Sequence, residues 1–218
     1  IKTYFQESLP HFEIAELGFR EKLWLYRAYL WYSFITQNFL SCYRYSSKWI
    51  GLFNENPHLV AVHPVLYLKG NHYLLESLFY LNHVSLFEKV LNELESTLKD
   101  PKIPDDDNIA ALAFLYLYTN KLNLKFMKGD FAHGDLLVEK IMKKINKFNS
   151  RIDEHHIMVF YYKIASLYFG NGEYKRSIEF LKRIINNKSL EMREDLLCFS
   201  RILNLVAHYE VGLDYHLE

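Results

Sequence analysis

The stretch Phe160 to Ile185 reads FYYKIASLYFGNGEYKRSIEFLKRII. Before Gly170-Asn171-Gly172, Tyr161, Ile164, Leu167 and Tyr168 fall at i, i+3, i+6 and i+7; after it, Tyr174, Ile178, Leu181 and Ile185 fall at i, i+4, i+7 and i+11. Each half therefore offers one apolar face at the helical period, and the segment predicts two helices hinged on the glycines. Neither face is buried by such a hairpin alone. A neighbour is needed on each side.

The rest of the chain supplies them. Hairpins are predicted over 20–56, 63–99, 109–148 and 156–187, with a final partial one over 192–218. Thr36-Gln37-Asn38 breaks the ring-dense first pair, and Asn54-Glu55-Asn56-Pro57 ends it, because the residue before proline resists the helical region. In the second pair Pro64 opens the first helix, Leu81-Asn82-His83 makes the turn, and Val84–Leu98 returns with Phe87, Val90, Leu91 and Leu94 inward. A polar loop, 100–108, follows, and its last aspartates are placed to cap the next helix. The third pair runs from Ile109 to Met127, turns at Lys128-Gly129-Asp130, and returns from Phe131 to Phe148. A last helix spans about Met192 to Val211, and Gly212-Leu213-Asp214-Tyr215 begins another turn. The first 19 residues hold two short helical pieces divided by Pro10, a cap on the first pair. The residues that follow the turns, Phe39, Val84, Phe131, Tyr174 and Tyr215, lie 45, 47, 43 and 41 apart. Helix pairs recurring at such a spacing are the mark of an α-solenoid.

Composition agrees. Among 218 residues, 8 Gly and 5 Pro are too few for an all-β sandwich or a glycine-loop nucleotide fold, while 17% aromatic residues suit broad helix contacts filled by rings. The 26 basic and 26 acidic residues leave no net field toward a polyanion or an anionic membrane. No apolar run reaches the roughly 20 residues of a membrane span. Cys42 and Cys198 sit far apart within helical patterns, read as buried, reduced thiols, and with no visible targeting segment a cytoplasmic protein is expected. The chain starts at Ile1 and stops inside a unit, as a segment of a larger protein would.

The fourth pair resembles a tetratricopeptide repeat. Tyr161 stands at the family's first large aromatic, Ile164-Ala165 at its Leu-Gly, Tyr168 at its tyrosine, Gly172-Glu173-Tyr174 at its Gly-Asp-Tyr turn, and Ser177 at its small-residue position. Small side chains at Ala165 and Ser177 let helices approach closely while rings fill the gap between hairpins. The departures are Ser189 where the motif ends in proline, spacings longer than the family's roughly 34 residues, and Lys121 and Lys125 at positions that should be buried. The resemblance implies an all-α, right-handed α-α superhelix, a tetratricopeptide-like solenoid of about four to five hairpins. It also implies a concave face made by the first helix of each pair, carrying Arg27 and Trp31, His72 and Glu76, Thr119 and Asn123, and Tyr162 and Ser166. Rings, amides and hydroxyls there suit an extended peptide or protein segment.

Other chemistry is weaker. Glu154-His155-His156 puts adjacent histidines about 100° apart, unlike metal ligands at i, i+3 or i, i+4, and Asp105-Asp106-Asp107 lacks the glycine and distal glutamate of a calcium loop. His133-Gly134-Asp135, on the return helix of the third pair, has no nucleophile elbow beside it. No phosphate loop, dinucleotide fingerprint or paired-Cys motif is present, so no metal, cofactor or catalysis is expected; His72/Glu76 at i, i+4 is the one pair an enzyme would use, given a third polar partner. The second functional reading is nucleic acid, through Lys140, Lys143, Lys144 and Lys147 on one helix face and Lys175, Arg176, Lys182 and Arg183 in the next pair. The third is a sensor or scaffold segment of a regulatory protein.

Overall fold

The computed structural model describes residues 16–187 and 194–212, together with Thr3, Phe5 and Glu7. Among these, ten helices and no strand are found: α1 (Phe19–Ile35), α2 (Phe39–Glu55), α3 (Leu59–Val62), α4 (Pro64–Tyr80), α5 (Val84–Thr97), α6 (Asp107–Lys128), α7 (Asp135–Lys147), α8 (Glu154–Gly170), α9 (Tyr174–Ile185) and α10 (Glu194–Val211). The helices pack into two compact units, Ile1–Ile109 and Ala110–Glu218. Most of the two short helical pieces expected in the first 19 residues, Pro10 included, and the expected positions Ser189, Met192 and Tyr215 lie outside the described residues.

One device closes the first helix of all four complete hairpins. Gln37, Asn82, Gly129 and Gly172 take positive φ, from 52° to 77°, and the next N–H reaches back five residues: Asn38 to the Ser33 carbonyl, His83 to Leu78, Asp130 to Lys125 and Glu173 to Tyr168, at 2.8 to 3.0 Å. This satisfies carbonyls that a helix end leaves open and sends the chain back antiparallel. Gln37 and Asn82 do it without glycine, at some backbone cost.

In the first unit, rings set the register. Phe19 meets Phe53 and Tyr29 stacks on Tyr45, so α2 runs back along α1; Phe53 meets Tyr67 and Phe39 stacks on Tyr80, so α4 runs back along α2. The closest passage is at Gly70 of α4, where a Cβ would lie 2.8 Å from both the Trp49 indole nitrogen and the Ile50 side chain. Trp49 is thereby sealed, 0% exposed, with its indole N–H unpartnered among the described residues. α5 buries Phe87, Val90, Leu91 and Leu94 as its pattern predicts.

The second unit has one core, with Phe114, Ile141, Phe148, Phe160, Ile164, Leu181 and Leu196 among its members. Asp106 caps α6 by accepting from the N–H groups of Asn108 and Ile109, and Asp153 caps α8 by accepting from that of His156. Ala165 and Ser177 are both fully buried, as their size at those positions requires. Four expectations are corrected. The third return helix starts at Asp135 rather than Phe131, because residues 131–134 form a turn that seats the Phe131 ring against Gly170, where a Cβ would meet it at 2.5 Å. His133 therefore sits in that turn with φ 55°, not on a helix. Cys198 is exposed on α10, and Cys42 alone is a buried thiol. Lys125, which the repeat pattern places in the core, instead ties the end of α6, bonding the Asp130 carboxylate at 2.9 Å and the Ala132 carbonyl at 3.2 Å.

Two substitutions test the seams. Gly70→Val forces a side chain into Trp49 and Ile50 and is expected to cost about 1–3 kcal/mol in urea unfolding. Ser177→Ala removes a buried hydroxyl that has no partner among the described residues and is expected to stabilise by about 1 kcal/mol.

Candidate functional site

The first unit presents a two-helix face. α1 buries Leu23, Leu25, Tyr26, Leu30 and Ser33, which leaves Trp24, Arg27, Trp31 and Ile35 accessible at i, i+3, i+7 and i+11. α4 buries the positions between Tyr67 and Leu78 that meet α2, which leaves Lys69, His72, Glu76 and Tyr80 at i, i+3, i+7 and i+11. Both sets are single helical stripes. The Phe19 ring stacks on His63 and Trp31 meets Tyr73 edge-on at 5.8 Å, so α1 and α4 run in the same direction with Tyr73 within about a turn of Trp31.

Tyr73 joins the stripes. Its ring also lies 6.0 Å from Phe34 and 5.9 Å from Trp49. Burial pushes its phenol above the usual range, with Arg27 pulling it down and Glu76 pushing it up, so both charges act on the same ring. Burial raises Tyr80 and Cys42 too, the thiol to about 11, and Glu76 adds to both. The Arg27 guanidinium lies 4.9 Å over the Trp24 ring. Trp31 remains 45% exposed, a large ring held at the surface by a neighbour rather than sunk among helices.

In the second unit the four expected residues are placed differently. Thr119, Tyr162 and Ser166 are half-buried, and the Ser166 hydroxyl donates to the Tyr162 carbonyl at 2.9 Å. Asn123 is 8% exposed. Its carbonyl oxygen accepts from Lys163 at 2.7 Å, its amide donates to Asn120, and Asn120 donates to the Tyr116 carbonyl. The amide of Asn123 thus links α6 to α8 from inside the packing. Lys163 spans that gap, 5.7 Å from the Phe126 ring. Lys69, Tyr73 and Lys163 escaped sequence reasoning; Lys69 was recoverable, since it shares the stripe of His72 and Glu76.

The basic stripes are largely spent on their own surroundings. Lys143 pairs with Glu139 at 2.7 Å; Lys144 lies over the Phe114, Tyr118 and Phe148 rings, and burial lowers its pKa; Lys147 lies over Phe148. Arg176 pairs with Asp135 at 2.6 Å and Glu173 at 2.7 Å and covers Tyr168 at 4.1 Å, while Arg183 covers Phe180. Lys140, Lys175 and Lys182 are exposed. Asp153 holds the His156 ring nitrogen at 2.6 Å, so this histidine cluster serves a helix start. Among the described residues no group of three His, Cys, Asp or Glu is gathered as a metal site, and no helix is long and apolar enough to cross a membrane. No family model matches the chain, and neither a curated protein nor a solved structure does.

Two tryptophans, Trp31 on this face and Trp49 beneath it, separate surface from core. Trp31→Ala is expected to leave the circular dichroism spectrum intact and cost about 1 kcal/mol. Trp49→Ala, in contrast, opens a cavity and is expected to cost about 3–5 kcal/mol in the same denaturation assay.

Proposed function

We propose that this chain is a non-catalytic interaction module that holds an extended peptide, or an extended segment of a partner protein, against the first helices of its hairpins. The observation that carries the reading is the half-exposed Trp31 leaning on Tyr73 between charged neighbours on two parallel helices. Exposed rings cost hydration, and a ring cluster bordered by polar groups is the usual composition of a recognition surface. The same reading takes the repeated hairpin closure, the small residues at Ala165 and Ser177 and the fourth-pair motif as a tetratricopeptide-like, right-handed solenoid. Its free thiols at Cys42 and Cys198 suit a reducing, cytoplasmic compartment. Nucleic acid is the second reading, favoured by the exposed Lys140, Lys175 and Lys182 but disfavoured by the cations already committed to rings and carboxylates.

Selection of a random twelve-residue peptide display library on the immobilised chain tests it. Enrichment of a shared pattern is expected, and a synthetic peptide of that pattern should lose about tenfold or more in affinity on Trp31→Ala or Tyr162→Ala, the affected variant naming the unit that binds, with the fold checked by circular dichroism. A folded chain that enriches no pattern sinks the reading. Filter retention of RNA or DNA at low salt, lost at moderate salt, would move the assignment to nucleic acid.

A further inference from the structure

The face of α1 and α4 is ordered by charge. Because Tyr73 meets both Trp31 and Phe34 and the helices run in the same direction, every residue on one stripe can be placed against the other to within about a turn. Arg27 lies four residues before Trp31, about 6 Å down the axis at 1.5 Å per residue. Lys69 lies four residues before Tyr73, so the two cations share one end of the face. Glu76 lies three residues beyond Tyr73, about 4.5 Å up the axis. The order along the face is therefore basic, aromatic, acidic, over about 10 Å. Arg27 and Glu76 act on the Tyr73 ring with opposite sign, and Glu76 acts also on Tyr80, so the separation is felt at the ring that joins the helices.

We infer that the segment bound on this face carries an acidic residue and a basic residue four positions apart with an apolar side chain midway between them, the acid toward Arg27 and Lys69 and the base toward Glu76. This rests on the peptide-binding reading and makes it specific. An extended chain advances about 3.3 Å per residue and turns alternate side chains to one side. Side chains at i, i+2 and i+4 therefore all meet the helices, and the reach of a lysine or glutamate absorbs the remaining few ångströms. The central apolar group rests on Trp31 and Tyr73, where contact area supplies affinity, and the flanking charges select the occupant. A segment with two acids or two bases brings a like charge to one end of the face.

Three labelled nine-residue peptide pools, with serine and glycine flanks and Leu, Phe, Tyr or Trp at the centre, test this on the full chain by fluorescence polarisation. One pool carries an acid and a base at the outer positions, the second two acids, the third two bases. The mixed pool is expected to bind about fivefold more tightly than either other pool, the scale of exposed ion pairs. Glu76→Gln should erase the advantage over the two-acid pool while keeping that over the two-base pool, and Arg27→Gln with Lys69→Gln should do the reverse. Equal binding of all three pools by the unaltered chain overturns the charge order and leaves peptide binding standing. Binding of none overturns both. Loss of affinity for every pool alike in the glutamine variants also overturns the charge order, because it shows those residues shaping the face rather than choosing its occupant.

Discussion

Everything in the first unit depends on how closely α4 can pass α2 at Gly70. With no Cβ there, the Trp49 indole lies against the helix backbone and is lost to solvent entirely, at the cost of an unpartnered N–H. Trp49 then forms a wall for Tyr73, and Tyr73 holds Trp31 at the surface. The accessible aromatic face is thus a consequence of a backbone contact one layer beneath it. The second unit uses the same solution twice, with Gly134 admitting Leu167 and Gly170 admitting Phe131.

The two units treat their first-helix faces differently. In one, rings and charges stand at the surface and the charges are spaced along it. In the other, Lys163 and two asparagines bond one another across α6 and α8, so polar groups that a repeat pattern would assign to a ligand hold the helices together. A buried amide that is fully engaged fixes one relative position of its helices, since any slip leaves it unsatisfied. In the first unit α1 meets α4 through ring contacts, Trp31 and Phe34 on Tyr73, which tolerate small displacements.

Much of the architecture was legible because hairpins advertise themselves twice, by apolar stripes at the helical period and by polar breaks between them. Thr36-Gln37-Asn38 and Leu81-Asn82-His83 close their helices where the breaks stand, and the inward residues of α5 are those its period selects. The third turn was less legible. Its extra residues answer to the Phe131 ring lying against Gly170, thirty-nine positions away, and no local pattern carries that demand. Lys125 looked like a misplaced core residue because periodicity counts faces and takes no account of helix ends, where a lysine finds open carbonyls. For the site, the resemblance to the repeat put Arg27, Trp31, His72 and Glu76 on a face, and all four stand on accessible stripes. It missed Tyr73, since register between two helices is set by packing, and it put Asn123 on a surface when its amide faces inward.

The seam at Gly70 has a mechanical meaning. A residue without a side chain, packed against a ring near the middle of a 17-residue helix, is a fulcrum, and α4 extends about 10 Å to one side of it and 15 Å to the other. Small changes of volume at the fulcrum tilt the helix and are magnified at its ends, where Val65 and Tyr80 lie. The width and splay of the aromatic face are in this way set by an amino acid that never touches what the face holds. Divergence of such a repeat toward new occupants can proceed by changing the size of a residue beneath the surface while the surface residues themselves stay the same.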